Sequence, residues 1–194
     1  MGNMDSQTEA LWRERFKTFN RFMVLMWRLG LGNWVNSMPM VGGRIMVLVH
    51  RGRKTGARRY TPVNYATIDG DIYCTAGFGA VADWYKNILA DPDVEVWLPD
   101  GWYAGSAAVI TEDTRRLPYL REVLLNSGFA APLFGVNPKS MSDEELDEAT
   151  SDYLLIRVER RHPLTGQNGP GSLNWVWPLA TVFLLMSMLR RKRD

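Results

Sequence analysis

Residues 44–76 read RIMVLVHRGRKTGARRYTPVNYATIDGDIYCTA, and this stretch decides the fold. It contains three runs rich in Val, Ile, Thr and Tyr, at 44–50, 59–68 and 71–76, each bounded by Gly, Asp or basic turn residues. Such runs read as β-strands. Asp69-Gly70 is the two-residue signal of a tight hairpin, so the strands on either side of it pair antiparallel. The same texture continues downstream. Strands at 94–98 and 102–110 flank Pro99-Asp100-Gly101, and a last strand covers 152–159. A short helix at 83–90 stops before Pro92, and Thr111 caps a second that runs to about Ser127. The expected class is α+β, mainly β: a small antiparallel barrel over 33–162 with helices on its outside.

Outward from this core the chain changes character. Residues 5–29 space Trp12, Phe16, Phe19, Met23, Met26 and Trp27 at three- and four-residue intervals among five basic residues, the pattern of an amphipathic helix, and Gly30 and Gly32 stop it. That gives an N-terminal helical unit over 1–32, which either packs on the barrel or lies on an anionic membrane surface. Residues 129–151 carry an acidic run in which Ser142 precedes Glu145 by three, a capping-box signal; a lid and a solvated acidic helix are both open there. Residues 163–172 are a linker by composition. Beyond them, 173–189 is uncharged and mostly apolar, before Arg190, Arg191, Lys192 and Arg193. Seventeen helical residues span about 26 Å, short of a hydrocarbon core of roughly 30 Å. A span, an in-plane helix and a helix packed on the domain compete, and 173–194 is read as a membrane-associating tail.

Composition narrows the function classes. The net charge of +2 hides an asymmetry: residues 1–60 hold eleven Lys or Arg against three acids, and 61–189 hold eight against seventeen. Nucleic-acid binding calls for a wider basic face than this. A single cysteine, Cys74, fits a reducing compartment and offers no zinc ligand set with the two histidines. No secretory leader pattern is read at the N-terminus. A cytoplasmic protein on the inner face of a membrane is expected.

The chemistry-bearing signals are two. His50-Arg51-Gly52-Arg53-Lys54-Thr55-Gly56-Ala57-Arg58-Arg59 is a basic, glycine-punctuated turn between strands, in which the glycines permit inward-pointing amides and Arg53, Lys54 and Arg59 supply charge for a phosphate or carboxylate. It lacks the order and following helix of a Walker loop. The second signal is Thr75-Ala76-Gly77-Phe78-Gly79, where small residues admit a flat ring or phosphate, followed by Trp84 and Asn87 three apart on one helical face. There is no nucleophile elbow, no metal-ligand spacing and no base beside Cys74, so a bound cofactor would carry the chemistry of an enzyme built this way.

Six short blocks, in this order and spacing, resemble the deazaflavin-dependent nitroreductase family: the turn 52–59, Thr61-Pro62-Val63, Asp69-Gly70-Asp71, Ala76-Gly77-Phe78-Gly79, Asp83-Trp84-Tyr85-Lys86-Asn87 and 87–94. The resemblance covers roughly residues 15–160. It implies an FMN-binding-like split β-barrel and coenzyme F-420, an 8-hydroxy-5-deazaflavin, as hydride source for a quinone, nitroaromatic or activated alkene. It further implies that Arg53, Lys54, Thr55, Gly56 and Arg59 hold the phosphate and glutamyl tail of the cofactor. Pro62, Val63, Ala76, Gly77 and Phe78 would then line its ring and ribityl chain, with Trp84 and Asn87 in support. Thr55 stands where the family more often has Ser, and Phe78 where it usually has a polar or small residue. Tyr65, Tyr85, Tyr103 and Tyr153 are candidates for a proton donor, none of them assigned. FMN in place of F-420, a non-catalytic membrane-associated carrier, and a homodimer stay open.

Overall fold

The computed structural model describes residues 6–37, 42–111 and 113–191, with the backbone alone for 6–16, 113 and 114. Residues 1–5 of the expected N-terminal unit, the side chains of Trp12 and Phe16, and the basic pair Lys192 and Arg193 lie outside the described residues. Six strands close into an antiparallel barrel in the order β1-β2-β3-β6-β5-β4: β1 Ile45–Arg51, β2 Arg58–Ile68, β3 Asp71–Ala76, β4 Asp93–Leu98, β5 Gly101–Ile110 and β6 Leu154–Pro163. Asp69 (φ 52°) and Gly70 (φ 88°) make the tight β2–β3 turn that their residue types predict.

Alternation along each strand builds the core. Met46, Leu48, Tyr65, Ile72, Cys74, Val94, Val96, Ile156 and Val158 fill the barrel interior. The intervening residues of β1, Val47 and Val49, are buried too, because the outer face is covered by α1 (Ser6–Arg28) through Trp27 packed with Trp97. This explains why β1 reads as an unbroken apolar run rather than an alternating one. Arg28 stacks its guanidinium 5.0 Å from the Tyr60 ring centroid on the same face. Gly30, at φ 77°, ends α1 as expected. Gly32 does not act as a stop: it opens a four-residue helix, α2 (Gly32–Val35), and a Cβ on it would come within 2.4 Å of the Trp27 ring.

Helix α3 (Asp83–Ala90) lies against the barrel core through Ile88, with Trp84 and Tyr85 packed beside it. Helix α4 (Asp113–Leu125) covers the outside of β2, β3 and β6 with Val123 against Ala66, Tyr73 and Leu155. A second cluster joins α4 to α5 (Ala130–Leu133) and α6 (Asp143–Ala149) through Leu120, Leu124, Ala131, Val136 and Leu146. The Ser142–Glu145 capping box is formed in both directions. Two arginines of α4 hold this segment down. Arg116 donates to Asp147, to the Thr150 carbonyl and to the Tyr153 carbonyl, and Arg121 donates to the Pro138 and Met141 carbonyls and to Asp143. The acidic segment is thus a pinned wall rather than a helix standing in solvent.

The linker-like residues after β6 lie along the body. Leu164 N–H donates to the Trp102 carbonyl, and Gly171 and Leu173 N–H donate to the Trp27 and Arg28 carbonyls. Helix α7 (Val176–Arg191) follows, tied to the end of α1 by Trp177 Nε1–H to the Leu29 carbonyl at 2.9 Å. Beyond that bond α7 exposes apolar side chains all round, Phe183 at 76% and Leu189 at 66% among them. Among the described residues, no helix is long and apolar enough to cross a membrane.

Candidate functional site

A groove of about 1800 Å³ runs between the β1–β2 turn, the start of α3, the 77–79 turn and the pinned wall of α5 and α6. Ten of the residues expected at a site line it: Arg53, Lys54, Thr55, Arg59, Pro62, Val63, Gly77, Phe78, Trp84 and Asn87. Residues more than 80 positions apart in sequence meet there, because β1 and β2 present one wall and the segment before β6 presents the other.

Two expected residues are elsewhere. Ala76 is fully buried in the barrel interior, since β3 alternates Ile72, Cys74 and Ala76 inward; its neighbours Thr75 and Gly77 face the groove instead. Gly56 sits on the outer rim of the turn at φ 66°, where a Cβ would have nothing within 4 Å, and it shapes the turn rather than the groove.

The β1–β2 turn also corrects the expectation of inward amides. Gly52 N–H donates to the Ala57 carbonyl, Thr55 and Gly56 N–H donate to the Gly52 carbonyl, Ala57 N–H reaches Thr55 Oγ1, and Arg53 N–H donates to Asn87 Oδ1 at 3.1 Å. With these five amides committed, the turn offers an anion mainly its side chains. Arg53 is itself engaged: its guanidinium donates to Asn87 Oδ1 at 3.0 Å and to Asp83 at 2.9 Å. That bond holds the Asp83 carboxyl below its usual range. Arg53 therefore clamps the turn to α3. Among the described residues Lys54 and Arg59 enter no ion pair, and they supply the uncommitted positive charge.

Around the 77–79 turn the groove is lined by aromatic side chains. Phe78 and Phe134 meet edge to face at 6.1 Å, both about half exposed, and the groove lining also includes Trp84, Leu133 and Met141 together with the acidic Glu145, Glu148 and Asp152. Gly79 permits the close approach that shapes this turn. Its φ is 59°, and a Cβ there would stand 2.7 Å from the Asp152 carbonyl oxygen. Of the four tyrosines considered as donors, Tyr153 lines the groove, and burial raises its hydroxyl pKa. Tyr65, Tyr85 and Tyr103 pack with the barrel core. Cys74 is buried, and burial pushes its thiol up to about 12, which makes it inert as a nucleophile.

The groove also holds residues that the sequence does not single out as site residues. His50 is 3% exposed, with Nε2 3.0 Å from Thr61 Oγ1 and Nδ1 3.3 Å from Asn87 Nδ2. Burial first, then the charge of Arg59, lower its pKa to about 4 against an opposing backbone contact at Arg51. A signal for it exists in the pairing of the strands. The hairpin register sets His50 opposite Arg59 and Leu48 opposite Thr61, and residues 59, 61 and 63 share one face of β2. For Phe134 there is none, because only tertiary packing brings it to the groove.

A family model described as F420H2-dependent quinone reductase matches residues 20–130, more than half of the chain. Among solved structures, the chain is similar to a conserved hypothetical protein from Mycobacterium tuberculosis, at 22% identity over 68% of this chain and 79% of that one, with a TM-score of 0.48. It is also similar to an F420H2-dependent reductase, at 22% identity over 59% of this chain and 93% of that one, with a TM-score of 0.44. No curated protein matches.

Proposed function

Because the chain belongs to the F420H2-dependent quinone reductase family, an oxidoreductase family that uses coenzyme F-420, we propose that it reduces a flat, electron-poor acceptor, a quinone or a nitroaromatic, in the groove described above. When bound, reduced F-420 supplies the hydride. The residues fit such a cofactor. An anionic tail finds Lys54 and Arg59 with no competing ion pair among the described residues, Thr55 beside them, and Arg53 holding the turn in place. Pro62, Val63 and Gly77 give a smooth wall, on which a Cβ at Gly77 would only touch the Tyr153 ring at 3.6 Å. Phe78, Phe134 and Trp84 add aromatic surface for a ring system. The observation that carries the reading is this combination, with the cations Lys54 and Arg59 and the aromatic side chains Phe78, Phe134 and Trp84 lining a single groove.

In this reading the protein binds, orients and excludes water. Phe78 and Phe134 would cover the ring of the acceptor, and Tyr153, which lines the groove and whose hydroxyl burial keeps protonated, would be the donor to a reduced acceptor. Fluorescence titration with F-420, with FMN in parallel, tests the cofactor; oxidation of reduced F-420 by a naphthoquinone and by a nitroaromatic tests the acceptor. Saturable F-420 binding with turnover of either acceptor is expected. Preference for FMN would replace the cofactor, and tight F-420 binding without turnover would make the protein a carrier.

In the same reading the C-terminal helix lies in the plane of a membrane surface. Its 16 residues extend about 24 Å, too short for a span of roughly 30 Å, while its apolar side chains are exposed on every side and basic residues follow at Arg190 and Arg191. Phe19, Phe22 and Leu25 of α1 are exposed as well. A lipophilic quinone would then be met at the bilayer. Full-length protein is expected to float with anionic vesicles and to stay bound in part at high salt; a protein that remains with the soluble fraction at both low and high salt would show that α7 serves another contact.

A further inference from the structure

The polar residues at the base of the groove form a chain of hydrogen bonds, and the partners of the Asn87 amide assign its direction. Asn87 Oδ1 faces two donors, Arg53 N–H at 3.1 Å and Arg53 Nη1–H at 3.0 Å. Turning the amide over would set its NH₂ against both, so Nδ2 is the atom that faces His50 Nδ1 at 3.3 Å. His50 Nδ1 must then accept, which leaves the ring hydrogen on Nε2, 3.0 Å from Thr61 Oγ1. Thr61 receives that bond and keeps its own hydroxyl hydrogen, for which no acceptor is found among the described residues. Thr61 lines the groove.

The relay is dry. His50 is 3% exposed and Asn87 6%, so a bond pointed the wrong way there could not be repaired by solvent. Burial disfavours a second proton on the imidazole, and the charged group acting on the ring, Arg59, does so too, against a hydrogen bond at the Arg51 backbone that favours it. A neutral ring with one N–H is what the relay requires.

We propose that Thr61 positions the cofactor as a hydrogen-bond donor, its hydroxyl turned toward the groove by the sequence Arg53 to Asn87 to His50 to Thr61. Along β2, Thr61 stands two residues from Arg59 and two from Val63 on one face, about 7 Å from each. The acceptor is therefore an oxygen of the ligand between its anionic tail and its ring. This deepens the F-420 reading and rests on it. His50 and Asn87 are positioning residues: they touch Thr61 or each other and set which way its hydrogen points.

The test compares F-420 titrations of the wild type, Thr61→Val and Thr61→Ser, together with the ¹⁵N shifts of the His50 ring in the free and loaded protein. Thr61→Val keeps the shape and removes the donor, and is expected to weaken F-420 binding roughly tenfold; it also leaves the buried His50 Nε2–H without its acceptor, so its denaturation midpoint should fall, and Thr61→Ser should restore both. Thr61→Ser is expected to bind within about twofold of wild type, a rescue that a purely structural role for the methyl group would not give. His50 is expected to show a bare Nδ1 and a protonated Nε2 before and after binding. Wild-type affinity in Thr61→Val, or a hydrogen on Nδ1, would overturn the proposal. If the wild type itself bound no F-420, the cofactor reading would fail and the role of Thr61 with it, while the ring shifts would still report the direction of the relay.

Discussion

Alanine at both Lys54 and Arg59 is expected to weaken F-420 binding by about two orders of magnitude. The turn that carries them spends five of its amides on its own closure and on Asn87, so an anion held here depends mainly on side-chain charge. A charge-assisted hydrogen bond contributes about 1.5–3 kcal/mol when shielded. Both side chains border solvent, so the lower end applies, about 1.4 kcal/mol or tenfold for each cation. Arg53→Ala should differ in kind. Its guanidinium is engaged by Asp83 and Asn87, and its loss would leave the turn tied to α3 by the backbone N–H of residue 53 and remove one of the two donors that orient the Asn87 amide. Titration at low and high salt separates the two. Wild-type binding should weaken as salt rises, and the penalty of the Lys54/Arg59 double variant should shrink with it, whereas the penalty of Arg53→Ala should persist. A double variant that binds like wild type at low salt would remove the cations from the site and return the turn to a solvated hairpin.

The parts of the fold that follow from local pattern were legible in the sequence. Asp69-Gly70 marks one hairpin, Pro99-Asp100-Gly101 another, and Pro92 the end of α3; the Ser142 capping box is present atom for atom. The last strand runs four residues past its expected end at Glu159, because Arg160 pairs with Gly105 and Pro163 with Tyr103 across a bulge that a lone sequence does not show. Of the groove lining, the basic turn, Trp84 and Asn87 were legible in the sequence. The lining was misread at Ala76, where strand alternation, applied one position further, would have exchanged it for Thr75 and Gly77. His50 looks like an isolated histidine in the sequence. Its role depends on the β1–β2 register and on Asn87 arriving from 37 positions away, so a motif could not carry it. The aromatic part of the groove, where Phe134 and Tyr153 meet the 77–79 turn, rests on the grip of Arg116 and Arg121 on the wall before β6, a purely tertiary arrangement.

Acid should destabilise the protein well before its carboxylates titrate, and His50 is the reason. In the unfolded chain its imidazole takes up a proton near the ordinary 6.5; in the folded protein burial and Arg59 delay this to about 4. Between these values the unfolded state binds a proton that the folded state refuses, so stability is full above about pH 6.5, falls as pH drops through that window, and levels off below about 4. A separation of that size corresponds to about 3 kcal/mol, a large part of the roughly 5–15 kcal/mol typical of a domain. Asp83, whose carboxyl is lowered, acts in the same direction but only as pH falls below the ordinary carboxylate range, so it leaves the upper window to His50. Urea midpoints measured from pH 8 to pH 4 check this, with His50→Phe alongside. Wild type should lose stability steadily below pH 6.5, and the variant, whatever its starting stability, should stay nearly flat until the carboxylates begin to protonate. Parallel slopes in the two proteins would mean that the folded state accepts the proton on His50. A doubly protonated ring would point Nδ1–H at the Asn87 amide, so such a result would also break the hydrogen-bond direction on which the placement of the Thr61 hydroxyl depends.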